Sequence, residues 1–223
     1  MNSTYQQMLK GYIFDLDGVI VDTAKYHFQA WNRLANKLGY EITEEQNENL
    51  KGVSRVESLD YILTLGDHNI ANSEKAKLAA LKNQWYVELI SGLDRSEILP
   101  GALELLEELN RAGLKVSLGS ASKNSVKILS GLGIIGLFDE IIDGNKTTKS
   151  KPHPQVFLMG AESLGLAPDE CVVFEDSLNG VKAANSGGFV SVGVGSPDVL
   201  GEANIVVPNL EGMTVAKLQT LLN

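Results

Sequence analysis

The hydrophobic residues of this chain follow two alternating patterns. Apolar runs of strand length begin at Gly11 and recur in the second half of the chain, and between them apolar residues return every three or four positions. The first pattern is typical of buried strands and the second of amphipathic helices. After the first run, strands are predicted at 115–119, 140–142, 171–175, 189–194 and 205–207. The helices that alternate with them are predicted at about 102–112, 123–132, 155–164, 178–186 and 215–222.

Residues 22–98 interrupt this alternation, because they show only helical spacing. Asp22-Thr23 is interpreted as the cap of the first helix in this stretch. Thr43 and Ser54 are each followed three residues later by Gln or Glu, the pattern of a capping box. The stretch therefore predicts an all-helical segment.

Strands that alternate with helices predict an α/β fold with a Rossmann-like, doubly wound parallel sheet. The helical segment, inserted after the first strand, is expected to form a cap over the carboxyl ends of the strands. The predicted domains are residues 1–21 with 99–223, which form the core, and residues 22–98, which form the cap. The two junctions, near residues 21–23 and 98–101, are expected to act as hinges.

Composition narrows the possible partners. The chain has 223 residues, 43% of them hydrophobic, which is enough for one core with a small second lobe. A net charge of −9 without a dense basic patch argues against nucleic acid as a partner. The polar start of the chain lacks the apolar centre of a signal peptide, and no apolar run is long enough to span a membrane. We therefore expect a cytoplasmic protein without a membrane partner.

The first predicted strand ends in two acids, Asp15 and Asp17, followed by Gly18. Ligands of open α/β sheets bind at the carboxyl ends of the strands. Two carboxylates so close together repel each other unless a proton or a cation is shared between them. This predicts one carboxylate as nucleophile and metal ligand and the other as general acid and base. The alternative is an acidic turn in which Asp22 caps the next helix.

Polar residues also follow two later strands. Ser120 ends the second strand just before a helix, where a hydroxyl and backbone N–H groups can cradle a phosphate, although a simple helix cap is the alternative. Glu175 and Asp176 end the strand that starts at Cys171, and their oxygens are ligands of the kind Mg²⁺ prefers. Asp176 as a helix cap is the alternative reading of that pair.

Lys151 lies in the segment Ser150-Lys151-Pro152-His153-Pro154. Flanking prolines stiffen the backbone and keep it out of a helix, so that the ammonium group can be aimed. The alternative is an ordinary surface lysine. His153 is interpreted as structural or exposed.

These residues together carry a resemblance. The sequence Asp-x-Asp-Gly-Val-x-x-Asp-Thr after an apolar strand resembles the first motif of the haloacid dehalogenase superfamily of phosphotransferases. Ser120, Lys151 and the pair Glu175-Asp176 resemble its second, third and fourth motifs. Many relatives carry an acid where this chain has Gln155, which we interpret as a helix cap or a position in the first turn of a helix.

The resemblance implies a role for each matching residue. Asp15 would be the nucleophile, Asp17 the acid and base, Ser120 with the N–H of Ala121 the phosphate clamp, and Lys151 the balancing charge. One Mg²⁺ would be held by Asp15, the main-chain carbonyl of Asp17, Glu175 and Asp176.

The predicted cap carries its own candidates. His27 and Trp31 lie four residues apart on one helical face, and His27 could bond to Asp17 or a nearby carbonyl when the cap closes, although a satisfied, partly buried histidine is the alternative. The segment from Leu50 to Arg55 combines a glycine, two cations and a helix start, which suits a second phosphate or a sugar hydroxyl. A solvated turn is its alternative. Lys82-Asn83 is a weaker candidate, because a lysine on a helix is usually solvated.

In the cap the resemblance narrows to members of the superfamily that act on β-glucose phosphates. It implies that the substrate contacts the following residues: Thr23, His27, Trp31, Lys51, Gly52, Val53, Ser54, Arg55, Lys82 and Asn83 from the cap, and Ala121, Ser122, Lys123 and Asn124 from the core. The implied reaction interconverts β-D-glucose 1-phosphate and β-D-glucose 6-phosphate through an aspartyl-phosphate and β-glucose 1,6-bisphosphate.

Two other functions are compatible with parts of the pattern. A Mg²⁺-dependent sugar-phosphate phosphatase would use the same core residues, with water as the acceptor. A receiver-like signalling module would be phosphorylated on Asp15, but such a module needs no helical lobe over its active edge. The expected partner is a small sugar phosphate, and a monomer is expected.

Overall fold

The structure is a computed structural model that describes residues 9–222. Its strands are β1 Gly11–Phe14, β2 Lys115–Gly119, β3 Glu140–Ile142, β4 Cys171–Glu175, β5 Val190–Val194 and β6 Ile205–Val207. Within the described residues they form a six-stranded parallel sheet in the order β3-β2-β1-β4-β5-β6. The predicted Rossmann-like fold is confirmed. Because β1 lies between β2 and β4, the carboxyl ends of these strands meet at one edge.

The helices surround this sheet and include the inserted segment. Their bounds are α1 Ala24–Lys37, α2 Glu44–Glu48, α3 Arg55–Leu65, α4 Asn72–Leu89, α5 Ala102–Arg111, α6 Ser125–Gly131, α7 Gln155–Ser163, α8 Leu178–Ser186, α9 Pro197–Leu200 and α10 Val215–Leu221. Helix α6 starts two residues later than expected, since residues 123–124 form a turn.

Both faces of the sheet are covered, as a parallel sheet requires. Tyr12 and Phe14 point into one hydrophobic cluster, while Ile13 between them points into the other. The rings of Phe14 and Phe174 stack across neighbouring strands with centroids 4.5 Å apart. The strand that carries the first acids is therefore fixed from both sides and along its length.

We refer to residues 22–98, which contain α1 to α4, as the cap. Its helices pack around a separate cluster that includes Trp31, Leu34 and Ile62. The two chain segments that join it to the sheet run side by side, because Val21 and Ile98 form a β-bridge and the N–H of Leu99 donates to the carbonyl of Ile20 at 2.9 Å. Paired junctions suit a hinge, and the hinge function stays a prediction.

Local helix signals were mostly correct. The capping boxes at Thr43 and Ser54 are both present. The expected cap at Asp22-Thr23 is wrong in one respect: Thr23 occupies the N-cap position of α1, but its side chain makes no capping bond. The Thr23 hydroxyl instead donates to the carboxylate of Asp17. None of the helices in residues 9–222 combines enough length with enough apolar character to cross a bilayer.

Candidate active site

The edge of the sheet gathers the acids that follow the strands. Asp15 comes directly after β1, Ser120 after β2, and Glu175 ends β4. The backbone N–H of Asp15 donates to the carbonyl of Phe174 at 3.0 Å, so the segment after β1 is held against β4. The parallel register therefore brings together residues that are up to 160 positions apart in the sequence.

Lys151 lies at the centre of this group. Its ammonium donates to Asp15 Oδ1 at 2.6 Å and also to Glu175, and the residue is only 2% exposed. Burial alone would lower the pKa of Lys151, but the charges of Asp15 and Glu175 outweigh it and raise the pKa. The lysine is therefore a fixed positive charge beside Asp15. The alternative of an ordinary surface lysine does not apply.

Glu175 is held on all sides. Its second carboxylate oxygen accepts from the N–H and the hydroxyl of Ser177 at 2.8 and 2.9 Å. Gly180 leaves room for it, because a Cβ at that position would overlap the carboxylate of Glu175. Glu175 is thus fixed in one orientation, toward Lys151 and Asp15.

The two acids after β1 differ in their surroundings. Burial raises the pKa of Asp15 to about 6, with a further contribution from Glu175 and opposition from Lys151. Burial and the charge of Asp15 raise the pKa of Asp17 to about 7. A carboxyl group with such a pKa gains and loses a proton near neutral pH, as a general acid and base must. The hydroxyl of Thr23 holds Asp17 in place.

Three carboxylates form a group that can hold a cation. Asp15, Glu175 and Asp176 each offer an oxygen atom, and these atoms lie within 4.8 Å of one another. Burial and the nearby Glu175 raise the pKa of Asp176 well above its usual range. Oxygen donors crowded in this way fit a hard divalent ion, which would offset their mutual repulsion.

The turn after β2 presents small polar groups. Ser120 is fully buried, and its hydroxyl oxygen accepts from the N–H of Ser122 at 3.0 Å. Since that bond uses an oxygen lone pair, the hydroxyl hydrogen remains for another acceptor. Ser122 Oγ in turn accepts from the N–H of Asn124 at 3.2 Å. Two side-chain hydroxyls therefore hold the backbone of this turn in place.

A cavity lies between these groups and the cap. The predicted site residues that line it are Asp15, Asp17, His27, Trp31, Lys51, Gly52, Val53, Arg55, Lys82, Asn83, Ala121, Ser122, Lys123, Asn124 and Asp176. Five predicted residues are not in its lining: Thr23, Ser54, Ser120, Lys151 and Glu175. Of the core members of this second set, Lys151 contacts Asp15, and a carboxylate oxygen of Glu175 lies within 4.8 Å of oxygens of Asp15 and Asp176.

The sequence did not indicate three residues that line the cavity, Ala24, Asn47 and Ser58, and it indicated Leu50 only as the start of the candidate segment 50–55. Ser58 is only 3% exposed and lies three positions after Arg55 on α3, so it shares the face of the helix that Arg55 presents. That spacing was the signal that could have identified it. Asn47 is on α2, a helix whose sequence indicated only its cap.

The cap residues pair differently from the prediction. His27 Nδ1 lies 2.9 Å from the ammonium nitrogen of Lys82, and no bond to Asp17 is present among the described residues. Lys82 is not solvated but 2% exposed, and its ammonium lies 4.3 Å from the centre of the Trp31 ring. The expected solvation of Lys82 is wrong because α4 packs against α1, which buries Lys82.

We call the side of the cavity that carries His27, Arg55 and Lys82 the cap wall, and the side that carries Asp15 and Asp17 the core wall. The cap wall carries basic groups where the core wall carries acids. Burial, followed by the charge of Arg55, lowers the pKa of Lys82 well below its usual range. Burial and the charge of Lys82 lower the pKa of His27 in the same way. Within residues 9–222, neither Lys82 nor Arg55 forms a salt bridge with a carboxylate. Lys51 is different, because its ammonium lies 3.2 Å from Asp176 and 3.0 Å from Glu48.

Known proteins share the sequence pattern and the fold of this chain. Residues 9–188 match the model of the haloacid dehalogenase-like hydrolase family. The chain belongs to the haloacid dehalogenase-like hydrolase family.

Individual relatives of this chain have two kinds of activity. The chain is 41% identical to the β-phosphoglucomutase of Bacillus subtilis, with 94% of each chain covered. It superimposes on the crystal structure of β-phosphoglucomutase from Clostridium difficile with a TM-score of 0.94, 44% identity, and coverage of 97% of this chain and 98% of the other. It is also 32% identical to hexitol phosphatase A of Escherichia coli, with 93% and 94% of the two chains covered. Both mutases and phosphatases are therefore found among its relatives.

Proposed function

We propose that this protein is a β-phosphoglucomutase that interconverts β-D-glucose 1-phosphate and β-D-glucose 6-phosphate. The observation that carries the proposal is the charge arrangement across the cavity. Asp15 and Asp17 lie on the core wall, and Arg55 and Lys82 lie on the cap wall without carboxylate partners in residues 9–222. A sugar with two phosphates matches both walls, since one phosphate reacts at Asp15 while the cap cations bind the other.

In the proposed reaction Asp15 attacks the phosphorus of the bound phosphate. A bond forms between an Asp15 carboxylate oxygen and phosphorus, and the bond from phosphorus to the sugar oxygen breaks. Asp17 gives its proton to that leaving oxygen and, in the reverse direction, takes a proton from the attacking hydroxyl. Lys151 and the Ser120 hydroxyl, with the N–H of Ala121, stabilise the phosphoryl charge.

The cofactor we propose is Mg²⁺, held by Asp15, the main-chain carbonyl of Asp17, Glu175 and Asp176. The ion supplies positive charge that neutralises the transferring phosphoryl group. The carboxylate oxygens within 4.8 Å of one another support this assignment. The monomeric state and the cytoplasmic location remain predictions.

The remaining predicted residues of the cavity lining are proposed to bind the sugar. They are His27, Trp31, Lys51, Gly52, Val53, Asn83, Ser122, Lys123 and Asn124, to which we add Ser58. Thr23 and Ser54 lie outside the lining, and Thr23 is proposed to act through its bond to Asp17. The intermediate β-glucose 1,6-bisphosphate must present first one end and then the other to Asp15, and opening of the cap would give it room to turn.

The second candidate is a sugar-phosphate phosphatase, which the 32% identity to hexitol phosphatase A favours. In that case water, rather than a sugar hydroxyl, takes the phosphoryl group from Asp15. The two functions differ in how well the closed cap excludes water from the aspartyl-phosphate.

One assay separates them. The protein is supplied with Mg²⁺, β-glucose 1-phosphate and a trace of β-glucose 1,6-bisphosphate, and glucose 6-phosphate and free phosphate are followed together. Glucose 6-phosphate with little free phosphate, and no turnover of the α-anomer, is the expected result. Release of one phosphate per substrate consumed would overturn the mutase assignment and support the phosphatase.

A further inference from the structure

The segment that carries Lys151 has no helix or strand of its own. Residues 148–154 form turns between β3 and α7. The N–H of His153 donates to the carbonyl of Ser150 at 2.9 Å, so Lys151 occupies a turn that Ser150 begins. The direction of the Lys151 side chain therefore depends on what holds the two ends of this segment.

The start of the segment is held by α7. The side-chain oxygen of Gln155 accepts from the N–H groups of Thr148 and Lys149 at 2.9 and 2.8 Å. This gives Gln155 a role that agrees with its expected place in the first turn of the helix. It fixes the backbone up to Lys149 but leaves Ser150 to another partner.

That partner belongs to the cap. The N–H of Ser54 donates to Ser150 Oγ at 3.0 Å, across the cleft between cap and core. The same N–H lies 3.1 Å from Glu57, the acid of the capping box that starts α3. Burial would raise the pKa of Glu57, but hydrogen bonds from Ser150 and Ser54 lower it. Ser150 is thus joined to the rigid first turn of a cap helix.

The same cap loop covers Lys151 itself. A Cβ added to Gly52 would lie 3.2 Å from Lys151 Cδ and 3.2 Å from Ser177 Oγ. Gly52 also has a backbone φ of +75°, a conformation that residues other than glycine rarely adopt. The cap loop therefore rests on the alkyl chain of Lys151 while its next turn binds Ser150.

We propose that Ser150 is a positioning residue that links closure of the cap to the placement of Lys151. This inference rests on the proposed phosphoryl transfer to Asp15. When the cap is closed, the Ser54 N–H fixes Ser150 and the turn after it, and the Lys151 ammonium is aimed at Asp15. When the cap opens, this bond is lost, and the turn keeps its bonds to Gln155, its internal bond from His153 to Ser150 and the ion pairs of Lys151, but no bond to the cap through Ser150. The Lys151 ammonium is therefore held most firmly beside Asp15 while the cap is closed and excludes water.

The first test compares Ser150→Ala with Asn179→Ala. Asn179 Nδ2 donates to the carbonyl of Lys51 at 3.3 Å, so its loss also removes a bond between cap and core, but not one to the Lys151 turn. We expect Ser150→Ala to lower kcat about tenfold at saturating β-glucose 1-phosphate with little change in KM. Asn179→Ala should raise KM and leave kcat within about twofold. Equal losses of kcat in both variants, or wild-type kcat in Ser150→Ala, would overturn the proposal.

The second test removes the same bond from the cap side. Ser54 has a φ of −68°, which proline accepts, so Ser54→Pro deletes the N–H that donates to Ser150 and to Glu57. Ser54→Ala is the control, because it removes the side-chain cap and keeps the N–H. The proposal requires that Ser54→Pro lower kcat well below Ser54→Ala, and that Ser150→Thr recover the loss of Ser150→Ala. Failure of either requirement in variants that melt at the wild-type temperature contradicts it.

A measurement of phosphorylated Asp15 separates this inference from the proposed function. Wild-type protein is mixed with Mg²⁺ and β-glucose 1,6-bisphosphate, quenched in acid and analysed by mass spectrometry. If the wild type forms no aspartyl-phosphate, the proposed function itself fails. If it does, and Ser150→Ala forms it at the same rate, only the role of Ser150 fails.

Discussion

The two walls of the cavity use buried lysines in opposite ways. On the core wall Lys151 contacts two carboxylates, and its pKa is raised despite complete burial. On the cap wall Lys82 is almost as deeply buried but lies beside His27 and aromatic rings, and its pKa is lowered. A buried charge is costly unless it is paired. The core charge is therefore satisfied within the fold, whereas the cap charge is stabilised fully only by an anion from outside.

This difference indicates which wall performs the chemistry and which selects the substrate. On the core wall the charge of Lys151 is already balanced by Asp15 and Glu175. This arrangement suits phosphoryl transfer whatever sugar carries the phosphate. The positive charge of the cap wall is fully stabilised only when a second anionic group binds there. Four predictions test this comparison, from the largest expected effect to the smallest.

Asp15→Asn should abolish the reaction of the core wall. Without the carboxylate nucleophile, we expect kcat to fall by about 10⁴-fold or more, as for other enzymes that lose their nucleophile. Steady-state turnover and mass spectrometry of the quenched protein measure this loss. Asp22→Asn, at an acid of the same segment whose side chain is 47% exposed, is the control and should retain turnover. An aspartyl-phosphate still formed by Asp15→Asn would show that another residue is the nucleophile.

Replacing each buried lysine with methionine should change stability in opposite directions. Lys151→Met leaves Asp15 and Glu175 facing each other without their cation, and the free energy of unfolding should fall by about 3–5 kcal/mol. Lys82→Met removes a buried charge that lacks a carboxylate, and the free energy of unfolding should rise by about 1 kcal/mol while activity falls. Chemical denaturation of both variants tests this. Destabilisation by both substitutions to a similar degree would mean that the two walls are electrostatically alike.

Arg55→Ala should affect binding more than chemistry. Loss of a charged hydrogen bond costs about 1.5–3 kcal/mol, so KM for β-glucose 1,6-bisphosphate should rise about 10–100-fold. Arg33→Ala is the matched control, because Arg33 is also on the cap but lies 4.2 Å from the Trp85 ring, outside the cavity lining. A KM that changes equally in both variants would remove Arg55 from the proposed phosphate site.

Gly180→Ala should disturb the core wall by sterics alone. Its Cβ would overlap the Glu175 carboxylate that orients Lys151, and overpacking of this kind typically costs about 1–3 kcal/mol. Thermal unfolding should show a lower Tm, with reduced kcat. Gly136→Ala is the control, since nothing lies within 4 Å of its added Cβ. An unchanged Tm in Gly180→Ala would mean that Glu175 is free to move.

Much of the core wall was predictable from the sequence. Asp15, Ser120 and Glu175 follow apolar runs, and parallel strands place such residues at one edge whatever the details of packing. The flanking prolines could not predict the contacts of Lys151, because Asp15 and Glu175 lie 136 and 24 positions away in the chain. The resemblance of the motifs supplied what local pattern did not.

The cap wall was less predictable. Its capping boxes at Thr43 and Ser54 are local features and were found, because they depend on residues three positions apart. The burial of Lys82 was missed, since a lysine on a helix is normally solvated and only the packing of α4 on α1 covers it. Ser58 was missed because its spacing from Arg55 indicates the cavity only once Arg55 is known to face it.

The sequence by itself determined the order of strands and helices, the inserted helical segment and the acids at the strand ends. These follow from periodicity and from the geometry of parallel sheets, which act over a few residues or are the same in every such sheet. Only the tertiary structure decided that Thr23 binds Asp17, that His27 faces Lys82, and that Ser54 reaches Ser150. Those contacts depend on how the cap rests on the core, which no pattern of neighbouring residues encodes.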